Sequence, residues 1–496
     1  MADLLPRLTS VVPSQHSSDE SYDHDIRELI AYIKDPRRKS SIIGSCGYLL
    51  ENLDPSVHTI SYLLVLHYYI QYQKEADNAR LWGDFRPGGS LWQKAVQFLN
   101  CFDPIQIRYI GREWRLLVEL VAQAAQEISK PILAVSVIAD ALLRVDANSE
   151  VFTSVHLLVI RLALLSRSYT SALPILDKQQ CHFPCVSGQI YQKHHQPPLC
   201  SNDTSSTVFI TDISGFSSKL TYKDHLQYYL FGAMIYLALK KLDTALHFLS
   251  IVISSPAGSS VSKIMVEAYK KWVLTSLLAH GKTINPPKVI SSSTMRIYQT
   301  LSKPYGSLAD AFEKGDLNRL KSEFEVGQSV WRTDNNLGLV SQVIVAFDRY
   351  MVMKLGKKFS ALSIPDVSQQ VVTSVGTEHS VIETLIATQI MSGALDATLL
   401  HQDDSQSTML RFSSAAVSPI SREQSVQARL LEEIRVLKLF ANSTGTANYA
   451  LDLSDEHLRF VQKNQRWADD GDKGNNVSRT AGGSFEVDED IMGDIH

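Results

Sequence analysis

Residues 223–255, KDHLQYYLFGAMIYLALKKLDTALHFLSIVISS, carry the pattern that decides the fold. Tyr229, Ala233 and Tyr236 recur at spacings of four and three, so they share one face of a helix. Lys240-Lys241-Leu242-Asp243 reads as a polar turn, and Ala245, Leu249 and Val252 repeat the same spacing before Pro256 ends a second helix. Small residues on the facing sides let two such helices approach closely.

Aromatic, small and aromatic residues in one helix, with alanine early in the next, form the tetratricopeptide pattern. Weaker copies lie at Ser154 to Leu176, with Ala163 and Ala172 in the matching places, and at Leu301 to Gly327, with Gly315-Asp316 as the turn. Asp103-Pro104 predicts an N-cap and first helical position, followed by one helix through Ile107, Ile110, Trp114, Leu117 and Leu120. Lys130-Pro131 then punctuates before a helix from Ile132 to Leu143. Working outward, residues 1–25 are polar and read as a flexible leader, and residues 26–176 as N-terminal repeats. Residues 177–221, rich in Ser, Thr and Pro, read as a low-order insertion, and 222–335 as further repeats.

After Asn336 the pattern changes. A long helix through Met353 precedes Ser363-Ile364-Pro365-Asp366, a capping box opening a short helix with Val367, Val371 and Val375. Gly376 breaks it, and a second helix, Thr377 to Ser392, closes at Gly393. Leu395 to His401 and Thr408 to Phe412 are strand-like around the polar turn Gln402 to Ser407. Helix, helix, hairpin is the order of a winged helix, placed at residues 336–415. Two C-terminal helices at 420–467, capped by Ser421 with Gln424 and by Ser454, lead to an acidic, disordered tail at 468–496. The expected fold class is mainly α: a tetratricopeptide-like array, a winged helix and C-terminal helices.

Charge narrows the function. Lys plus Arg number 48 and Asp plus Glu 52 in 496 residues, a net charge of -4, so no chain-wide basic field exists to hold nucleic acid or an anionic membrane. The tail from Ala468 holds eight of the acidic residues and only Lys473 and Arg479 as cations. In the winged helix the second helix carries Glu378 and Glu383 without Lys or Arg, and the wing tip is Asp403-Asp404, which would oppose phosphate. Nucleic acid is therefore not an expected partner. The longest apolar stretches, Ile60 to Ile70 and His156 to Leu165, fall short of the roughly 18 residues of a membrane span. Five cysteines, an odd number, without a secretory opening segment point to a reducing, intracellular compartment.

No His-x-His, His-Glu-x-x-His or Gly-x-Ser-x-Gly occurs, so neither a catalytic residue nor a cofactor is expected. His280-Gly281-Lys282-Thr283 ends like a phosphate loop, but Ser276 replaces the required glycine, and a helix C-cap explains it better. Cys46 and Cys101 read as small core residues. The expected metal content is none; Cys181, Cys185, His194 and Cys200 are the zinc-capable set, at a spacing that fits no common finger. The candidates for subunit contact are Leu395, Leu399, Met409, Leu410 and Phe412, through an outer wing strand open to pairing with another sheet. Leu430, Ile434, Leu437 and Phe440, on the stripe that begins at Val426, either pack on the same chain or enter a helix bundle with partners.

The degenerate array running into a winged helix resembles the PCI-domain family, the scaffold subunits of the proteasome lid, the COP-nine signalosome and translation initiation factor three. Within it, Phe102 to Tyr109 (FDPIQIRY), Ala172 to Asp177 (ALPILD), Phe231 to Tyr236 (FGAMIY), Glu267 to Lys271 (EAYKK), Asp334 to Val340 (DNNLGLV) and Phe460 to Lys463 (FVQK) are similar to the signalosome's third-subunit branch. The resemblance implies a non-catalytic scaffold in a complex that removes Nedd8 from cullins, with the isopeptidase site on another subunit. It implies partners among the other signalosome subunits, indirect contact with cullin-RING ligases, and a place in cytoplasm and nucleus. Residues 177–221 and the two termini lie outside the resemblance.

Overall fold

A computed structural model describes residues 4–12, 19–76, 83–184, 198–201, 204–256, 261–370, 379–391, 395, 397–401, 408–412, 419–452, 457–459 and 461–463. The chain is mainly helical and divides into two compact units, residues 1–186 with 197–433, and residues 187–196 with 434–496.

The deciding hairpin forms as read, from helices Tyr222–Ala238 and Leu242–Ser254. Thr221 and Asp224 cap the first helix reciprocally, satisfying orphan N–H groups at its start. Ala233 and Ala245 are fully buried. A Cβ on Gly232 would lie 2.8 Å from the Phe248 ring and 3.0 Å from Leu176, so the bare backbone sets how closely the layers pack. Tyr229 and Tyr236 flank Phe248 at 5.2 and 5.1 Å between ring centroids. Helix Lys263–His280 stacks next. The copy at 301–327 gives helices Lys303–Lys314 and Leu317–Val326, with Gly315 left-handed at φ 77°. At 154–176 the second helix shrinks to a 3-10 turn, Thr170–Ala172, and one α turn, Leu173–Leu176. The single helix expected after Asp103 is two, Pro104–Ile107 and Gly111–Glu127.

The break between those two creates a fastening point. Gln106 Nε2 donates to Val57 O (2.8 Å), and Tyr109 OH donates to Asp23 Oδ1 (2.6 Å). Arg108 Nη1 donates to Leu199 O (2.7 Å) and Ser201 O (2.8 Å), its guanidinium 4.6 Å from the Phe209 ring. Arg115 Nε donates to Gly215 O (2.9 Å), while Phe216 lies against Gly111 and 5.7 Å from Trp114. The low-order reading of 177–221 is thus corrected over its described residues. Phe209, Ile210 and Phe216 are buried, and His182 bridges to Val151. Among the described residues, Ser205 caps helix Ser206–Phe209 and Thr211 and Ser214 bond each other in a turn, between the apolar anchors. The flexible reading of residues 1–25 is corrected likewise: helix Leu4–Leu8 ends on buried Leu8, whose carbonyl accepts from Ser61 Oγ (2.8 Å). Helix Asp19–Lys34 buries Tyr22 before the expected start at 26. Arg108→Ala removes two charge-assisted bonds and is expected to cost about 2–3 kcal/mol locally. Limited proteolysis checks this: residues 198–218 should be cut faster than in the parent chain, and an unchanged digest would refute the clamp.

Two segments that carry the resemblance meet in a buried polar network. Lys271, 6% exposed, donates to Asn336 Oδ1 (2.6 Å) and pairs with Glu267. Asn336 Nδ2 donates to Tyr305 OH (2.9 Å), which donates to Asp334 Oδ2 (2.8 Å), and Lys270 pairs with the same carboxylate at 2.7 Å. Burial, with Asp334 beside it, holds the Tyr305 phenol above its ordinary range. Trp331 closes the site edge-on to Tyr305 at 4.6 Å.

Helix Leu337–Gly356 belongs to two cores. Val340, Val343, Phe347 and Tyr350 complete the repeat core, whereas Val352 and Leu355 enter a second one with Ile364, Val367, Ile382, Ile386, Leu395, Ala397 and Leu410. The boundary expected at 336 is therefore not a gap in packing. The second core is covered by β1 (Ala361–Ser363), helices Ile364–Gln370 and His379–Met391, β2 (Ala397–Leu400) and β3 (Met409–Phe412). The sheet is antiparallel in the order β1-β3-β2, with Leu362 opposite Leu410 and Leu399 opposite Leu410. Half of the expected capping box is seen: Asp366 N donates to Ser363 Oγ (3.3 Å), while Asp366 Oδ2 accepts from the Ser363 hydroxyl (2.5 Å). β1, the three residues that end on that cap, was not expected; a strand so short has no periodicity to read.

In place of the first of two C-terminal helices, one helix of 34 residues, Pro419–Asp452, begins two residues before the expected cap. Proline suits the first turn of a helix, leaving Ser421 inside it. Residues 457–459 and 461–463 are helical, whereas Ser454 and the tail lie outside the described residues.

Candidate subunit-interaction site

The winged-helix candidates separate by strand periodicity. Leu395 and Leu410 are 5% and 0% exposed and form part of the second core, which corrects their assignment to a contact surface. Leu399 and Phe412 are half-buried against that core, and Met409 is half-buried. Phe412 lies on Gly356, where a Cβ would come within 2.7 Å of its ring. Alternation along β2 turns Leu399 inward and Leu400, 49% exposed, outward. Leu400 was missed because neighbouring leucines in a strand read alike until register is known. The sheet order makes β3 central and β2 an edge that pairs only with β3 among the described residues. On helix His379–Met391, Ser380, Thr384, Thr388 and Met391 are exposed, and none is a cation. The wing tip at 403–404 lies outside the described residues.

On helix Pro419–Asp452, Leu430, Ile434, Leu437 and Phe440 are 51%, 48%, 66% and 48% exposed. Val426 and Leu431, at 49% and 68%, extend and widen the stripe. An apolar stripe this exposed lacks the burial that normally stabilises an amphipathic helix.

Of the zinc-capable set, Cys185 and His194 lie outside the described residues. Cys200 is buried and donates to Asp19 O (3.0 Å), while Cys181 sits beside the Val151 bridge with its sulfur 3.7 Å from Gln179 O. Different elements thus hold the two cysteines, and burial pushes the Cys200 thiol up, away from the thiolate a metal requires. Among the described residues the one cluster with metal-ligating spacing is His24, Asp25 and Glu28, at the surface. Cys46 is a core residue whose thiol burial pushes up to about 12.

Two arrangements imitate active sites. Ser149 Oγ lies 2.7 Å from His156 Nε2, but His156 is fully buried, which pulls its pKa down to about 3. Its Nδ1 accepts from Thr153 N–H (3.1 Å), so the ring proton sits on Nε2 and is donated to Ser149, the reverse of what activating a serine requires. His156 serves with Thr153 as the capping box of helix Ser154–Ser166. At Gly281, φ 67° closes helix Lys263–His280, and Glu313 accepts from Thr283 N and Oγ1, both at 2.6 Å. A carboxylate holds the donors that a phosphate would need.

Stacked helical hairpins leading into a small antiparallel sheet unit place the chain in the class of helical-repeat proteins. A family model described as COP9 signalosome complex subunit 3, N-terminal helical repeats, matches residues 24–195 and 204–294. A COP9 signalosome complex subunit 3 from Emericella nidulans is 47% identical over 500 residues, covering all of both chains. Another from Neurospora crassa is 25% identical over 493 residues, covering 97% of this chain and 95% of that one. The chain belongs to the COP9 signalosome subunit 3 family.

Proposed function

We propose that the chain is a non-catalytic scaffold subunit of the COP9 signalosome, the complex that removes Nedd8 from cullins of cullin-RING ligases. The likeness along the full length to a relative of that name carries the reading. The unit β1, helix, helix, β2, β3 reads as the winged helix of a PCI domain, which meets a neighbouring subunit's sheet along β2 through its unpaired backbone groups and Leu400. Helix Pro419–Asp452 lays its apolar stripe into a bundle with helices of other subunits. The isopeptidase centre belongs to another subunit. No described helix is long and apolar enough to cross a membrane, and the proposed location is cytoplasm and nucleus.

Affinity purification of the tagged full chain followed by native mass spectrometry tests the reading. The expected result is one assembly containing an active deneddylase. Recovery with subunits of the proteasome lid or of translation initiation factor three instead would overturn it.

A further inference from the structure

Where the repeats meet the β unit, a groove of about 580 Å³ opens in the first compact unit. One wall is the face of helix Leu337–Gly356 that carries Gln342, Val345 and Arg349; the others come from Lys240, Leu242 and Leu278 at the ends of repeat helices, and from Gln389. Apolar side chains make up much of its lining, and Val345 is 73% exposed. Its charge is all of one sign: Lys240 and Arg349 line it, and no carboxylate does among the described residues.

Both cations are held by neutral groups. Lys240 Nζ donates to Gln342 Oε1 (2.6 Å), leaving further N–H donors of the ammonium available. Arg349 lies 4.7 Å from the Tyr350 ring and donates from Nη2 to Tyr350 OH (2.8 Å), and its Nε is buried without an acceptor. Tyr350 is itself fixed, donating to Leu278 O (3.0 Å) and lying against Gly281, where any Cβ would come within 2.4 Å of the ring. Neither cation takes part in an ion pair among the described residues. A guanidinium held in place by Tyr350, next to an ammonium and above apolar side chains, is complementary to carboxylates interleaved with apolar groups.

We propose that this groove docks a short acidic segment of a partner protein, its carboxylates on Lys240 and Arg349 and its apolar side chains on Leu242, Leu278 and Val345. None of the groove's described lining residues belongs to β2 or to helix Pro419–Asp452.

The test uses the full chain and a fluorescein-labelled peptide of alternating aspartate and leucine, read by fluorescence anisotropy, with a lysine–leucine peptide as control. The acidic peptide should bind, and more weakly as salt is raised, while the control should not. Lys240→Glu and Ser341→Glu, both at exposed positions that line the groove, should each weaken binding at least tenfold, and Arg349→Gln at least as much, with unchanged circular dichroism. Equal binding by the Lys240→Glu and Ser341→Glu variants, or no binding of the acidic peptide, would overturn the proposal. Inorganic phosphate displacing the peptide at matching concentration would do the same, since the groove would then hold a simple anion.

Discussion

Asn336→Leu should lower the opening free energy of helices Lys263–His280 and Lys303–Lys314 by about 2–3 kcal/mol, the cost of leaving a buried ammonium short of one acceptor. Asn336 is fully buried and is the one side chain that touches both halves of the network, accepting from Lys271 and donating to Tyr305. Without it, Lys271 keeps Glu267, whose side chain is 28% exposed, and loses its buried acceptor. Tyr305 still donates to Asp334 but loses its own donor. Native-state hydrogen exchange is the suitable measurement, because a stacked array opens piecewise and a single melting curve would blur the site. Adding Lys271→Met should recover much of the loss, since an apolar pair of similar volume removes the stranded charge. A change below about 1 kcal/mol for Asn336→Leu, or no recovery in the double variant, would show that the network contributes little.

The second large effect concerns assembly. The triple variant Leu430→Glu, Ile434→Glu, Leu437→Glu should leave the chain folded, since all three side chains are about half exposed or more, yet reduce co-purification with partner subunits more than tenfold. Surface substitutions of this kind change stability by about 0.5 kcal/mol or less, whereas apolar anchors buried in an interface are each worth about 2 kcal/mol or more. The experiment separates the two alternatives for such a stripe. If it packs on its own chain in solution, the variant should unfold locally and lose helicity. If it packs on partners, helicity should hold while association fails. Retained association would remove the helix from the proposed interface.

The helical hairpins were legible because close packing demands small residues at fixed spacing, and Ala233 and Ala245 announce it. The insertion was not legible, since its order comes from Arg108 and Arg115, about a hundred positions away, reaching backbone carbonyls that composition does not reveal. The β unit was legible as helices and a hairpin but not as a sheet order, because β1 enters through pairing with β3, a long-range event. For the same reason Leu395 and Leu410 looked available and Leu400 did not. The C-terminal stripe was readable throughout, periodicity being local, but where one helix ends was not: the chain stays helical through Asn442-Ser443-Thr444-Gly445 to Asp452.

Helix Leu337–Gly356 spans about 30 Å at 1.5 Å per residue while both cores grip it. There is no joint along it at which the sheet unit could swivel against the repeats without tearing one core. A partner seated on the edge of β2 would therefore fix the compass heading of the repeats as well as their position. Small angular errors at that edge would be multiplied along the stack, so the accuracy with which such a subunit points into its surroundings depends on the bending stiffness of one twenty-residue rod.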